Sequence, residues 1–174
     1  MDARKYLFII ATMRSKIDYF RDMDTISKEK RSQVMSKVKQ KDTKPEVYFR
    51  KLLFARGYRY RLHSKKIAGK PDLYLAKYNT VIFINGCFWH RHSSPECKLA
   101  RLPKSRLDYW IPKLNRNVER DKETIQKLLE SGYKVLIIWE CTVKKMQKNE
   151  DFAKEVLLET KDFLYQSEQR YMEL

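Results

Sequence analysis

Tyr133-Lys134-Val135-Leu136-Ile137-Ile138-Trp139 is an almost continuous apolar run, the pattern of a strand buried on both faces of a sheet. Pro112 to Ser131 precedes it and reads as a long polar helix, which Gly132 is placed to end. Before that helix, Thr80 to Ile84 is a second apolar strand. Strand, long helix and strand make a crossover, and a crossover joins parallel neighbours. The C-terminal ends of the two strands therefore share one sheet edge. Cys87 and Cys141 follow those ends, so they are predicted to meet.

On the N-terminal side, Tyr58 to His63 and Asp72 to Tyr78 also read as strands. A tight turn at Tyr78-Asn79 would pair Lys77 with Thr80 and set Asp72 opposite Asn85. Thr43 and Glu46 form a capping box, Pro45 lies in the first helical turn, and Gly57 is placed to stop the helix. Val47, Leu52, Leu53 and Phe54 supply its buried face, and Glu46 is expected to be exposed. Asp151 to Tyr171 predicts a terminal amphipathic helix, acidic on its exposed side. The expected class is α/β, a mixed central sheet flanked by helices. The organisation predicted is an extension over 1–22, a basic arm or helix over 23–44, a core over 45–148 and an acidic helix over 149–174.

The 174 residues carry a net charge of +16. Residues 149–174 hold three Lys/Arg against seven Asp/Glu, so residues 1–148 carry +20. Such an excess points to a polyanion whose counterions Lys and Arg displace, and nucleic acid is the expected partner. The basic segments lack the broad apolar face of a membrane-surface helix, and no apolar run is long enough to span a bilayer. Tyr6 to Ala11 is too short for a secretory signal and lacks a cleavage pattern, so a cytoplasmic location is expected. Within Thr25 to Lys41, only Val34, Met35 and Val38 form an apolar stripe at helical spacing. That stripe is too thin for a core helix and suits an arm lying on DNA; the other reading is a solvated surface helix.

Asn85-Gly86-Cys87-Phe88-Trp89-His90-Arg91-His92-Ser93-Ser94-Pro95-Glu96-Cys97 gathers two of the three cysteines and two of the three histidines. An odd cysteine count favours thiols or metal ligands over a disulfide framework. Cys87, His92, Cys97 and Cys141 form a candidate Cys₃His zinc site, closed and structural in type; the alternative is three buried free thiols. Asp72, beside that loop, is a candidate Mg²⁺ ligand for phosphodiester hydrolysis. His90 is placed to move a proton, with Glu46 as the nearest candidate partner. Phe88 and Trp89 could wedge between bases, or else pack on the core and shield the metal.

Four ordered motifs carry a resemblance. They are Gly69-Lys70-Pro71-Asp72; Val81-Ile82-Phe83-Ile84-Asn85-Gly86-Cys87-Phe88-Trp89-His90; Asn117-Val118-Glu119-Arg120-Asp121; and Val135-Leu136-Ile137-Ile138-Trp139-Glu140-Cys141. Over about Ser27 to Cys141 the chain resembles the very short patch repair endonucleases, bacterial enzymes that nick DNA beside a T:G mismatch. The resemblance implies a restriction-endonuclease-like fold with structural Zn²⁺ and catalytic Mg²⁺. It implies Asp72 as the central Mg²⁺ ligand, with the Ile84 carbonyl also facing the metal. His90 and Glu46 match catalytic residues, and Cys87, His92, Cys97 and Cys141 match the zinc ligands. Phe88 and Trp89 match aromatics that enter DNA from the major groove, and Met35 an arm residue that enters from the minor groove.

Two departures stand out. Asn85 occupies the place of a second histidine, and an amide can orient water but is no proton-transfer base. The run Ser93-Ser94-Pro95-Glu96 lengthens the spacing from His92 to Cys97.

The implied activity is a nick 5′ of the thymine in T:G mismatches that arise from 5-methylcytosine deamination. The implied setting is a monomer at the bacterial nucleoid, with mismatch-repair proteins and a cytosine-5 DNA methyltransferase as possible partners. Two other readings are a restriction-type endonuclease on unmodified duplex and a zinc-braced DNA-binding protein without catalysis.

Overall fold

The computed structural model describes residues 27–36, 39, 41–165 and 168–174. The chain divides into two compact units, Lys39–Arg101 with Leu114–Leu174, and Met1–Val38 with Leu102–Lys113. In the second unit, helix α1 (Lys28–Ser36) is capped by Ser27 Oγ, which accepts from the Lys30 N–H at 3.2 Å. Met35 lies on α1, but its side chain is outside the described residues, as are residues 1–22. Among the described residues, no helix is long and apolar enough to cross a membrane.

The larger unit is built on a mixed sheet of five strands in sequence order. They are β1 (Arg61–Leu62), β2 (Leu73–Leu75), β3 (Thr80–Asn85), β4 (Lys134–Trp139) and β5 (Tyr171–Glu173). Strands β1, β2 and β3 pair antiparallel, whereas β3 with β4 and β4 with β5 are parallel. The predicted crossover is present, and the β3–β4 ladder runs from Thr80↔Lys134 to Asn85↔Trp139. The helices are α2 (Lys44–Ala55), α3 (Leu107–Glu130), α4 (Glu140–Met146) and α5 (Glu150–Tyr165).

Strand alternation divides the core. Ile82, Ile84, Leu136 and Ile138 face one side and cluster with Phe49 and Leu53 of α2, Val143 of α4, and Val156 and Phe163 of α5. Val81, Val135, Ile137 and Trp139 face the other side and cluster with Leu128 of α3. Ile82, Leu136 and Ile138 are wholly buried, each contributing roughly 2 kcal/mol through apolar area removed from water. Helix α2 begins as its capping box predicts: Thr43 Oγ1 accepts from the Glu46 N–H.

Five expectations need correction. The β2–β3 connection is not a two-residue turn: Ala76–Tyr78 forms a 3₁₀ turn and Asn79 adopts φ 46°. The ladder pairs Leu75 with Thr80, two residues away from the expected register, so its continuation sets Asp72 opposite Phe83. Strands β1 and β2 are also shorter than expected. Helix α3 starts at Leu107 and contains Pro112, at the cost of one backbone hydrogen bond. Finally, α5 ends at Tyr165, and Tyr171–Glu173 is a strand, since β4 leaves an edge of backbone groups that must be satisfied. Trp139 N–H donates to the Leu174 carbonyl and Trp139 Nε1 to Glu173 Oε2, at 2.8 and 3.0 Å.

Gly69 shapes the approach to β2. It sits at φ +71°, and a Cβ there would lie 2.3 Å from Thr124 Cγ2 and 3.2 Å from Phe83 Cζ. Gly69→Ala is expected to cost about 3 kcal/mol, from a left-handed backbone plus overpacking. A lowered urea midpoint with unchanged slope would register it.

Candidate active site and metal centre

The parallel ends of β3 and β4 bring Cys87 and Cys141 together, and the Cys141 N–H donates to Cys87 Sγ at 3.4 Å. The loop after β3 turns back through His90 N–H to the Gly86 carbonyl and His92 N–H to the Cys87 carbonyl. This returns His92, whose Nδ1 lies 3.4 Å from Cys141 Sγ. With Cys97, the four donor atoms all fall within 4.8 Å of one another. A tetrahedral ion bound at ordinary Zn–S and Zn–N lengths separates sulfur and nitrogen by about 3.6 Å. The donor set therefore fits a tetrahedral ion with little movement.

The electrostatics favour the ligating form at His92 and Cys97 and oppose it at Cys87 and Cys141, where an ion would have to draw off the proton. Burial lowers the His92 pKa and favours the neutral ring that ligates, and that ring stacks on Trp139 at 4.2 Å between centroids. Burial pushes the Cys87 and Cys141 thiols above their ordinary values. Burial also pushes Cys97 up, but hydrogen bonds with Cys87, Cys141 and the backbone outweigh it, so this thiol ionises more readily than usual.

Asp72 directly precedes β2. Its Oδ2 accepts from the Ile84 N–H at 2.7 Å. A strand residue directs its N–H and its carbonyl to the same edge, so the Ile84 carbonyl lies on the edge of β3 that faces Asp72. Burial raises the Asp72 pKa from 3.8 to about 6; the Glu46 charge adds to the rise, and the Ile84 N–H, His63 and His90 oppose it. A carboxyl destabilised in this way gains from a cation beside it.

Glu46 is buried rather than exposed, at 5% of its accessible area. Its carboxylate accepts from the Asp42 N–H at 2.7 Å and from Thr43 Oγ1 at 2.8 Å. It is not the partner of His90. His90 Nδ1 lies 2.5 Å from Asp121 Oδ2, and Asn117 Nδ2 donates to the Trp89 carbonyl at 3.1 Å. Asn117 and Asp121 are four residues apart on α3, one turn apart on a single face, and so clamp adjacent residues of the loop. Neither role is evident from the Asn117–Asp121 motif itself; the i, i+4 spacing of an amide and an acid is the one local signal of it. Phe88 and Trp89 pack edge to face at 5.1 Å, both half-buried. Asn85, half-buried at the end of β3, pairs in register with Trp139.

Comparison with known proteins gives a consistent picture. A family model described as DNA mismatch endonuclease Vsr matches residues 23–97. The type II nicking enzyme V.NmeAIP of Neisseria meningitidis serogroup A is 44% identical over 139 residues, covering 80% of this chain and 97% of that protein. The type II nicking enzyme V.XorIIP of Xanthomonas oryzae pv. oryzae is 42% identical over 123 residues, 71% of this chain and 88% of that one. The DNA mismatch endonuclease Vsr of Escherichia coli K12 is 38% identical over 130 residues, 75% and 81% of the two chains.

Proposed function

From the premise that this chain belongs to the DNA mismatch endonuclease Vsr family, we propose that it nicks one strand of duplex DNA 5′ of the thymine in a T:G mismatch, the product of 5-methylcytosine deamination. The observation that carries this reading is a buried Asp72 beside the Ile84 peptide together with, on the loop that follows the same strand, a His90 that Asp121 holds in place. His90 is close enough for its charge to act on Asp72.

Asp72 and the Ile84 carbonyl suit Mg²⁺, which takes few protein oxygens and completes its shell with water and substrate phosphate oxygens. When bound there, Mg²⁺ would stabilise charge on the phosphate and make a water more acidic. With Nδ1 engaged by Asp121, His90 keeps Nε2 for the reaction. That nitrogen takes a proton from the attacking water or gives one to the departing oxygen, while water's oxygen bonds to phosphorus and one P–O bond breaks. The Asn85 amide orients water and moves no proton. Glu46, its carboxylate held in the helix cap, adds negative charge beside Asp72.

Cys87, His92, Cys97 and Cys141 would hold Zn²⁺ as a brace for the loop that carries His90. Phe88 and Trp89 would enter the major groove and Met35 the minor groove, with the basic chain neutralising phosphates. The setting proposed is a monomer acting at the nucleoid in the bacterial cytoplasm, alongside mismatch-repair proteins and a cytosine-5 methyltransferase.

Two duplexes differing only in T:G versus T:A test the proposal. A nick 5′ of the thymine in the T:G duplex alone, with Mg²⁺ present, is the expected result. Equal cutting of both would make the protein a restriction-type nuclease, and binding without any cutting would make it a DNA-binding protein. Asp121→Asn should lower the single-turnover nicking rate about 10²- to 10⁴-fold, the range typical of acid–base groups, while duplex affinity changes little. Rates and affinities measured on the same T:G duplex would check both halves of that expectation.

A further inference from the structure

His63 directly follows β1, one step beyond the Leu62↔Leu73 pair, so it faces Asp72 across the ladder. Its backbone N–H donates to the Asp72 carbonyl at 3.3 Å. The imidazole lies between two carboxylates: Nδ1 is 3.8 Å from Asp72 Oδ1, and Nε2 is 3.9 Å from Asp42 Oδ1. Both gaps exceed a hydrogen bond by about 1 Å. Nε2 is nonetheless shut off from solvent and has no hydrogen-bond partner among the described residues, a condition that folded interiors avoid.

The ring is flanked by acidic groups, with Asp42 and Glu46 also offering oxygens within 4.8 Å of it and of each other. Asp42 Oδ1 is anchored by Arg50 Nη1 at 2.5 Å, and Asp72 Oδ2 is taken by the Ile84 N–H. Oδ1 is therefore the Asp72 oxygen whose aim a neighbour can set. His63 also holds φ +46°, a left-handed backbone that costs any residue with a Cβ and that glycine adopts freely. Strain of this kind persists where the side chain performs a task glycine cannot.

We propose that His63 is a positioning residue for the metal-binding carboxylate: closing the short gaps on either side of its ring links Arg50, Asp42 and Asp72 into one chain and fixes the direction in which Asp72 Oδ1 presents its lone pairs. The inference rests on the reading of Asp72 as the Mg²⁺ ligand. Partners that orient a ligating carboxylate commonly change metal affinity by 10- to 100-fold when removed.

The test uses the full chain and compares His63→Gly with His63→Gln. Three quantities are measured: the Mg²⁺ concentration for half-maximal nicking of a T:G duplex, Mn²⁺ binding by electron paramagnetic resonance without DNA, and the thermal midpoint. His63→Gly, free of backbone strain, should melt no lower than wild type. Its half-saturating Mg²⁺ should nevertheless rise about tenfold, with a parallel weakening of Mn²⁺ binding and a smaller loss of maximal rate. His63→Gln, whose amide spans part of the gap, should recover part of the shift. Unchanged metal dependence in both variants would overturn the inference, as would a fall in maximal rate with no shift in metal requirement. Metal binding that survives Asp72→Asn in the same assays would overturn the Asp72 reading and this inference with it, a pattern distinct from silent His63 variants.

Discussion

Asp72→Asn is expected to abolish nicking and, in the absence of divalent metal, to make the protein more stable at neutral pH. Loss of the proposed metal-binding carboxylate would remove several kcal/mol of charge stabilisation, which corresponds to a rate reduction of about 10³-fold or more. The stability effect runs in the opposite direction. Burial, with Glu46 adding to it, raises the Asp72 pKa in the folded state from 3.8 to about 6. A group raised in this way contributes stability that is fully present below its unfolded value and is lost as pH climbs through the folded value. By pH 7 the ionised carboxylate costs about 3 kcal/mol relative to its protonated form. Asparagine keeps an oxygen for the Ile84 N–H and carries no charge. Thermal melts without metal should therefore show wild type falling behind Asp72→Asn between about pH 4 and pH 7, with Mg²⁺ restoring wild type alone. Wild-type nicking by the variant would remove Asp72 from the site, and a variant less stable than wild type at neutral pH would refute the electrostatic account.

Cys87→Ser should be the most destabilising single change at the candidate metal centre. Cys87 is wholly buried, and its sulfur sits among the other three donors. Structural zinc in small domains contributes on the order of 10 kcal/mol of folding free energy at neutral pH. A core of this size retains part of its fold without the ion, so a loss of about 5 kcal/mol is expected, or roughly 10–20 °C in thermal midpoint. Nicking should fall with it, because His90 lies between Cys87 and His92 on the same loop. Elemental analysis of wild type should find about one zinc per chain, and a chelator should lower its midpoint toward that of the variant. Wild-type protein that contains no zinc and melts identically with or without chelator would exclude the site.

Legibility followed the range of the interaction. The α2 cap depends on residues three apart, and Thr43, Pro45 and Glu46 identify it directly. The β3–α3–β4 crossover follows from apolar runs on either side of a long helix, which sufficed to bring Cys87 to Cys141. The hairpin register was less accessible. Asn79 signals a turn, but nothing local distinguishes a two-residue turn from one that opens with the 3₁₀ segment Ala76–Tyr78. Strand β5 is three residues long, and it forms because β4 offers an edge, not because Tyr171-Met172-Glu173 has a period of its own. The approach of Asp121 to His90 spans 31 positions and depends on how α3 lies over the loop. His63 was hidden in the same way: Asp72 meets it only when β1 and β2 pair, and Asp42 reaches it from the segment just before α2.

The contact between Cys87 and Cys141 has a topological consequence. The two residues are 54 positions apart and bracket the whole of α3. An ion shared by both sulfurs would close the loop after β3, α3 and β4 into a ring, as a covalent cross-link does. In the chain-entropy view, closing a loop of that length removes about 4 kcal/mol of freedom from the unfolded ensemble. Opening would then begin at the flanks, with β1 and β2 peeling from one side and α5 with β5 from the other. Amide hydrogens of β3 and β4 would exchange last, and the ring carrying His90 and Asp121 would outlast β2, which Asp72 directly precedes.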